Sequence, residues 1–228
     1  MADKTKPGAS RKGAYVWDLP TRLFHWAFLG AVATSLWTAE FGPMDIHLIS
    51  GHVVLALLIF RIAWGVMGGR HARFASFVAG PARVIGYVKK LVSDGAGPHL
   101  GHNPMGGWSV VAMLLALALQ AGTGLFANDD ILTEGPLAGT VTKSTSDSLT
   151  YIHHLSSNAV YALIALHLAA VAFYWIKGHG IVGAMITGRL RDIDADGAPP
   201  ESEAEGSLTT AITIAAVAAG IAYAVMNY

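Results

Sequence analysis

Five stretches of the chain consist almost entirely of apolar residues, and polar segments separate them. Each stretch reaches about 20 residues, the length at which an α-helix crosses the hydrocarbon core of a bilayer. The stretches cover residues 19–41, 47–67, 107–127, 149–176 and 208–228. This pattern predicts an all-α integral membrane protein with five transmembrane helices, the fifth of them at the C-terminus.

Composition supports the membrane class and limits the chemistry. Hydrophobic residues make up 53% of the chain and charged residues 13%, whereas a soluble domain has about 25% charged residues. There is no cysteine, which excludes disulfides, iron–sulfur clusters held by thiolates and covalent attachment of haem through a C-x-x-C-H motif. Any haem must therefore be held by coordination and packing alone.

The charged residues are distributed unevenly between the connecting segments. Of the 15 Lys and Arg residues, 14 lie in the N-terminal arm through Arg22, in 61–90 and in 177–191. The two other connections hold Lys143 and six acidic residues: Glu40, Asp45, Asp129, Asp130, Glu134 and Asp147. By the positive-inside rule, the N-terminus lies in the cytoplasm and the acidic loops lie in the periplasm. The sequence thus predicts a multi-pass protein of the bacterial inner membrane, with Tyr228 on the periplasmic side.

Four segments outside the spans have a distinct character in the sequence. Residues 1–14 form a polar cytoplasmic arm, and 192–206 form an acidic cytoplasmic linker before the fifth helix, which occupies 207–228. Residues 81–92 are amphipathic with lysines on the polar side, which predicts an interfacial helix at the cytoplasmic surface. Residues 128–148 form an outer loop that is long enough to have a function of its own.

Histidine spacing in the fourth span is the strongest chemical signal in the sequence. His153 and His167 are 14 residues apart, so their side chains point within about 40° of each other and lie about 21 Å apart along the helix. Polar groups inside a span are costly and need a partner or a function. One haem cannot use both imidazoles at this distance, whereas two haems at different depths can.

Depth supplies each of these histidines with a partner on another span. His25 lies near the cytoplasmic end of the first span and pairs with His167. His47 lies at the outer start of the second span and pairs with His153. These four ligands predict two six-coordinate b-type haems. His52, about one turn deeper than His47, is the main competitor for the outer site.

The remaining histidines have a simpler interpretation. A single histidine near a helix end more often forms a hydrogen bond than binds a metal. This applies to the histidines in loops or without a partner at the same depth, namely His52, His71, His99, His102 and His179. His154 points about 100° away from His153 and has no counterpart 14 residues later.

Two arginines lie at the cytoplasmic ends of the first two spans. Arg22 precedes His25 by three residues, and Arg61 follows His47 by 14. A guanidinium at the membrane edge is a suitable partner for the carboxylates of haem. Both arginines are explained equally well as positive-inside anchors, so the sequence leaves the two roles open.

Three motifs resemble those of bacterial cytochrome b561 proteins and of the b-type cytochrome subunit of nickel–iron hydrogenases. The first is Val-Trp-Asp-Leu-Pro-Thr-Arg-Leu-Phe-His-Trp at residues 16–26. The second is Ile46-His47 followed by Gly51 and Arg61, and the third is Ile152-His153 followed by Asn158 and His167. Together the motifs extend over most of the chain.

The resemblance implies a four-helix haem-binding core over residues 15–191. It implies four axial ligands: His25, His47, His153 and His167. It also favours His47 over His52, because the His-x-x-x-Gly spacing of the family falls on His47 and Gly51. The fifth span, the segment 71–77 and the long outer loop depart from the simplest family pattern.

Iron with two histidine ligands has no open position for oxygen or substrate, which predicts outer-sphere electron transfer. We therefore interpret the chain as a transmembrane di-haem cytochrome that transfers electrons between a periplasmic redox partner and the quinone pool of a respiratory chain. The outer loops carry a net charge of −5, which would attract a cationic partner such as a small c-type cytochrome. Quinone and membrane lipid are the other expected partners, and nucleic acid is not expected.

Three alternatives are open at this point. One is a membrane anchor and electron-transfer subunit of a larger complex such as a hydrogenase. Another is a superoxide:quinone oxidoreductase, so the sequence does not decide between an electron carrier and a quinone-linked enzyme. The third is a histidine-dependent proton channel or transporter, against which the lack of an intramembrane carboxylate pair or a broken helix argues.

Overall fold

The computed structural model describes residues 13–95, 97, 99–194 and 200–228, and most of them are helical. The α-helices are α1 (Leu19–Phe41), α2 (Met44–Met67), α3 (Phe74–Phe77), α4 (Pro81–Asp94), α5 (Pro104–Gly124), α6 (Lys143–Ile176), α7 (Ile181–Thr187), α8 (Glu201–Ala204) and α9 (Leu208–Met226). Two short strands, β1 (Gly13–Tyr15) and β2 (Arg189–Asp194), and a 3₁₀ turn at Ala138–Thr140 complete the described elements.

Four helices of the described residues are long and apolar enough to cross a membrane. They are α2, α5, α6 and the C-terminal segment Glu201–Met226, which contains α9. These helices confirm the prediction of an all-α, multi-pass membrane protein. Helix α1 has 23 residues but includes Arg22, His25 and Glu40, which lower its mean hydropathy. A fifth crossing therefore stays a prediction.

Helices α5 and α6 begin earlier than the apolar pattern predicts, because capping residues rather than hydropathy set their starts. Helix α5 begins at Pro104, where the side chain of Asn103 accepts a hydrogen bond from Gly106 N at 2.7 Å. Helix α6 begins at Lys143, after Thr142 caps it through Thr145 N. Its first turns are polar and extend beyond the apolar stretch that the sequence marks from residue 149.

Helix α2 is the centre of the bundle, since it contacts α1, α5 and α9. Near its C-terminal end the side chain of Trp64 is fully buried. The indole Nε1 donates a hydrogen bond to Thr21 Oγ1 at 3.2 Å, and the ring stacks on Phe60 at 5.8 Å between centroids. This contact fixes the start of α1 and the end of α2 relative to each other.

Helix α9 packs on the outside of α2. Its buried residues Ala211 and Ala218 belong to the same core cluster as Trp64 and Phe60. Small residues allow the two helix backbones to approach closely, as is typical of helix contacts within membranes. A separate cluster of Val32, Val54, Leu58, Leu117 and Val160 joins α1, α2, α5 and α6.

A small sheet joins the N-terminal region to the segment that follows α7. Strand β1 pairs antiparallel with β2. The last two residues of the predicted polar arm therefore belong to a strand, and residues 1–12 lie outside the described residues. The predicted acidic linker 192–206 begins within β2 and contains α8, while 195–199 lie outside the described residues.

Helix α4 covers the segment that the sequence predicts to be interfacial. Val84, Tyr87 and Leu91 are partly buried against the rest of the protein. Ile85 and Val92 are exposed, so an apolar face of this helix has no protein partner among the described residues. An amphipathic helix of this kind is typical of a membrane surface, and its position there stays a prediction.

Candidate functional site

Two cavities lined by histidines lie at opposite ends of the helical bundle. The outer cavity, of ≈ 260 Å³, is lined by His47, His52, His153 and His154 together with residues of the loop between α5 and α6. The inner cavity, of ≈ 320 Å³, is lined by five histidines: His25, His99, His102, His167 and His179. The predicted outer pair thus lies in one cavity and the predicted inner pair in the other.

In the outer cavity, His47 of α2 faces His153 of α6. Their ring centroids are 6.2 Å apart and their planes are nearly perpendicular, at 87°. Metal ions bound by imidazole lie about 2 Å from the nitrogen, which sets two ligating rings roughly 6 Å apart. The two rings therefore have a separation that fits a metal ion between them.

Backbone carbonyls on neighbouring helices hold both outer imidazoles. His47 Nδ1 lies 2.9 Å from Ser35 O on α1, and His153 Nδ1 lies 2.9 Å from Gln120 O on α5. A carbonyl only accepts, so each Nδ1 carries the proton and donates it. Each Nε2 then carries the lone pair, which is the arrangement of metal-binding histidines.

Gln120 and Gly124 shape the surroundings of His153. The Gln120 amide nitrogen lies 3.2 Å from His153 Nε2, and Ser156 Oγ donates to the amide oxygen of Gln120 at 2.5 Å. Ligation of iron by His153 requires this amide to release Nε2. A Cβ at Gly124 would lie 2.9 Å from His153 Cε1, so the absence of a side chain there makes room for the imidazole. With this one rearrangement, the two imidazoles fit a metal ion such as the iron of haem.

His52 lies in the same cavity but is held differently. Its Nδ1 donates to Leu48 O of its own helix at 2.7 Å. Its Nε2 is buried and has no hydrogen-bond partner among the described residues. The ring contact with His153 is made by His47, and the choice of His47 as the outer ligand stays a prediction.

The inner pair is less constrained by hydrogen bonds. His25 of α1 and His167 of α6 both line the inner cavity. His25 Nδ1 is buried without a partner among the described residues, and the ring packs edge-on against Trp26 at 5.2 Å. A buried polar atom without a partner costs about 1–3 kcal/mol, so it marks a place where a further interaction would stabilise the protein.

His102 was not singled out by the sequence, because it lies in the loop before α5. Its imidazole is held between the ring of Trp17, at 4.8 Å, and the ring of Phe77, at 4.6 Å. Nδ1 is buried without a partner among the described residues. Burial, reinforced by the positive charge of Arg61, lowers the pKa of His102 to about 3. The imidazole is therefore neutral at physiological pH.

Neither predicted arginine lines the two cavities of the described residues. Arg22 donates to Ile186 O at 2.6 Å, and its Nε is buried without a partner in the described part of the chain. Arg61 is only 4% exposed. Its guanidinium lies 4.9 Å from the centre of the Phe74 ring and donates to Ala72 O at 3.1 Å. A role of either arginine in binding haem carboxylates stays a prediction.

A hydrogen-bonded group of tyrosines borders the inner cavity. Tyr174, which lines this cavity, shares a hydrogen bond with Tyr87 at 2.8 Å and accepts one from the Asn103 amide at 2.7 Å. Burial and the bond to Tyr174 raise the pKa of Tyr87, so its hydroxyl stays protonated. The group connects α4 to the start of α5 and the end of α6.

The outer loop is held in a defined conformation beside the outer cavity. The Asp129 carboxylate accepts hydrogen bonds from the backbone N–H groups of Ile131, Leu132 and Thr133 at 2.8–2.9 Å. These bonds lower the pKa of Asp129 to about 2. Lys143 forms ion pairs with Asp130 and Asp147. Ile131 and Leu132 are 82% and 91% exposed, so the loop presents two apolar side chains beside acidic ones.

Comparison with known proteins relates this chain to one family. Residues 16–188 match the profile of the family described as prokaryotic cytochrome b561. A probable Ni/Fe-hydrogenase B-type cytochrome subunit of Rhizobium leguminosarum bv. viciae is 26% identical over 78% of this chain and 89% of its own length. A protein of the same name from Rhodobacter capsulatus is 24% identical over 78% of this chain and 81% of its own length. No solved structure matches the chain.

Proposed function

The chain belongs to the prokaryotic cytochrome b561 family, and we propose that it is a di-haem cytochrome that carries electrons across the membrane between a periplasmic redox partner and the quinone pool. A membrane electron-transfer cytochrome with haem b is what the family establishes. The number of haems, their ligands and the two redox partners are the parts that we propose.

The arrangement of His47 and His153 carries the proposal. Two imidazoles face each other at 6.2 Å, and each has its Nδ1 proton bound to a carbonyl of another helix. The rings are thus oriented before a metal binds, so little ordering is left to occur on binding. Haem b supplies a one-electron couple when it is bound between two such ligands. If His47 and His153 held the haem, they would leave no position for oxygen or substrate, so electron transfer rather than oxygen chemistry would be favoured.

The inner pair extends the path towards the cytoplasm. His167 lies about 21 Å along α6 from His153, and His25 lies on α1 in the same cavity. We assign the second haem to these two histidines. The tyrosines and Asn103 beside this cavity are hydrogen-bond donors. A quinone carbonyl is a suitable acceptor for a hydrogen bond from them. We therefore place the exchange with quinone at the cytoplasmic end.

The outer loop supplies the surface for the periplasmic partner. Its acidic residues surround two exposed apolar side chains, Ile131 and Leu132, and the Asp129 bonds hold this surface in shape. Acidic groups around an apolar centre suit a cationic redox protein, because charge accelerates the encounter while apolar contact prolongs it. A small cationic c-type cytochrome fits this description.

Spectroscopy of the purified full chain tests the proposal. We expect the α-band of b-type haem on reduction with dithionite and a ratio of two haems per chain. His153→Ala should remove one haem and His167→Ala the other. The matched control is His154→Ala, which should keep both haems because His154 has no partner at the same depth. A preparation without an α-band would refute a haem protein, and a ratio of one would refute the four-ligand scheme.

The names of the two relatives favour a second candidate, the cytochrome subunit of a hydrogenase complex. In that case the electron donor is a hydrogenase bound to this chain. Native membranes distinguish the two candidates. Addition of hydrogen should reduce the haems only if a hydrogenase is the partner, while a reduced cationic c-type cytochrome should reduce them if the first proposal holds.

A further inference from the structure

His102 presents one ring nitrogen to the inner cavity. The residue lines this cavity, and its imidazole is clamped between Trp17 and Phe77. Nδ1 is buried without a partner among the described residues, whereas Nε2 is not among these buried atoms. Nε2 is therefore the nitrogen that is open to the cavity, and the aromatic rings on either side hold it there.

The position of the proton follows from the surroundings of Nδ1. An N–H group that is buried without an acceptor is rare, because it loses its hydrogen bond to water and gains none in return. The tautomer with the proton on Nε2 avoids this cost. A neutral His102 thus offers an N–H donor to the inner cavity.

The charges around His102 select the kind of acceptor. Arg61 lies close enough to act electrostatically on His102, and its guanidinium is almost completely buried. The carboxylate of Asp18 is already engaged, since its oxygens accept from Thr21 N at 2.9 Å and from Gly69 N at 3.2 Å. An anionic acceptor in the cavity would be stabilised by the buried positive charge, whereas a neutral carbonyl would gain less.

We propose that His102 is a positioning residue for the inner haem, and that its Nε2–H donates a hydrogen bond to a carboxylate of that haem. The inference rests on the proposed binding of a haem by His25 and His167. His102 lies in the cytoplasmic loop between α4 and α5, so this bond would join the loop to the cofactor. It would also compensate part of the negative charge near the iron, which favours the ferrous state.

A redox titration of the holoprotein, followed optically, tests the bond. His102→Phe keeps an aromatic ring between Trp17 and Phe77 but removes the donor. We expect it to lower the midpoint potential of the inner haem, with a change of up to about tenfold in the ferric-to-ferrous equilibrium, or about 59 mV. The outer haem should keep its potential. His102→Gln, whose amide restores a donor, should recover most of the shift.

His99→Phe is the matched control, because His99 lines the same cavity but is not held between the two aromatic rings. It should leave both potentials unchanged. An inner haem that is present in His102→Phe with the wild-type potential would overturn the inference and leave the di-haem proposal intact. Absence of the inner haem from the wild-type protein would instead refute the proposed function. If His102→Phe does not fold, His102→Leu and His102→Gln supply the same comparison.

A haem whose carboxylates are esterified identifies the acceptor. The full chain is loaded with this dimethyl ester instead of haem b, and the potentials of the wild type and of His102→Phe are compared. The difference between them should disappear, because the ester has no anion to accept the bond. A difference that persists with the ester, or that changes when quinone is added, would assign the N–H to another acceptor and overturn the proposal.

Discussion

The Nδ1–H of His47 donates to the backbone oxygen of Ser35, 2.9 Å away on the preceding helix. The two residues are 12 positions apart in sequence and meet because α1 and α2 are joined by only two residues, Gly42 and Pro43. A backbone acceptor is independent of the side chain at position 35. The tautomer of His47 is thus set by the fold of the hairpin itself, which leaves Nε2 free for a metal.

A methyl group at Gly124 should disturb the outer site. The Cβ of Gly124→Ala would lie 2.9 Å from His153 Cε1, so the imidazole must move away from its position opposite His47. Forcing a group into a packed site costs about 1–3 kcal/mol, and we expect the affinity for the outer haem to fall roughly tenfold. The ratio of haem to protein after purification measures this loss.

Gly122→Ala is the control for this change. Gly122 lies on the same helix, and a Cβ there would have nothing within 4 Å. The variant should retain the wild-type haem content. Equal haem content in both variants would show that the position of His153 opposite His47 does not determine binding.

The pairing of histidines by depth was accessible from the sequence because helical geometry fixes it. A spacing of 14 residues fixes both direction and depth on any straight helix, and the structure brings His47 and His153 together in one cavity. Iron ligation by these residues stays a prediction. The apolar stretches likewise revealed the membrane helices, since length and hydropathy are local properties of the chain.

The roles of His102 and Gln120 could not be read in the same way. His102 lies in a loop, and its place between Trp17 and Phe77 depends on contacts among three separate segments. Gln120 has no periodic counterpart, and its contact with His153 appears only when α5 and α6 are packed. Strand β1 was missed because it has only three residues. A strand this short is too short to show an alternation of apolar and polar residues in the sequence.

Overpacking of α9 against α2 should destabilise the bundle. Ala218 is 1% exposed and packs in the cluster that contains Trp64, so Ala218→Leu has no room for the larger side chain. We expect a loss of about 1–3 kcal/mol in the free energy of unfolding. Denaturation in detergent micelles measures it. Ala216→Leu introduces the same side chain at an exposed position of α9 and should change the stability little.

The outer loop should keep its conformation to unusually low pH. Asp129 has a pKa of about 2 in the folded loop, below its ordinary value of 3.8. Its stabilising effect is therefore complete above the ordinary value and is lost as the pH falls through about 2. The chain has no cysteine, so a single spin label at Leu132→Cys reports on the loop alone.

We expect the mobility of the label to stay constant from pH 7 down to pH 4 and to increase near pH 2, the ordinary and shifted pKa values of Asp129 being 3.8 and about 2. In an Asp129→Asn background it should be more mobile at neutral pH, because an amide oxygen is a weaker acceptor for the three N–H groups. A label with the same mobility in both proteins would show that other contacts hold the loop.

Electron transfer from a cationic partner should depend on salt and on the outer acidic residues. With a small reduced cationic c-type cytochrome as the donor, the second-order rate of reduction of the haems should fall steeply as ionic strength rises. Asp45→Asn combined with Glu134→Gln removes two of the six outer carboxylates and should lower this rate several-fold at low salt. Stopped-flow absorption measures both effects. Glu205→Gln removes one carboxylate at the opposite end of the bundle and should leave the rate unchanged. A rate that is insensitive to salt, or equal in all three proteins, would mean that the acidic loops do not guide the partner, since charge that steers an encounter must lose its effect when it is screened.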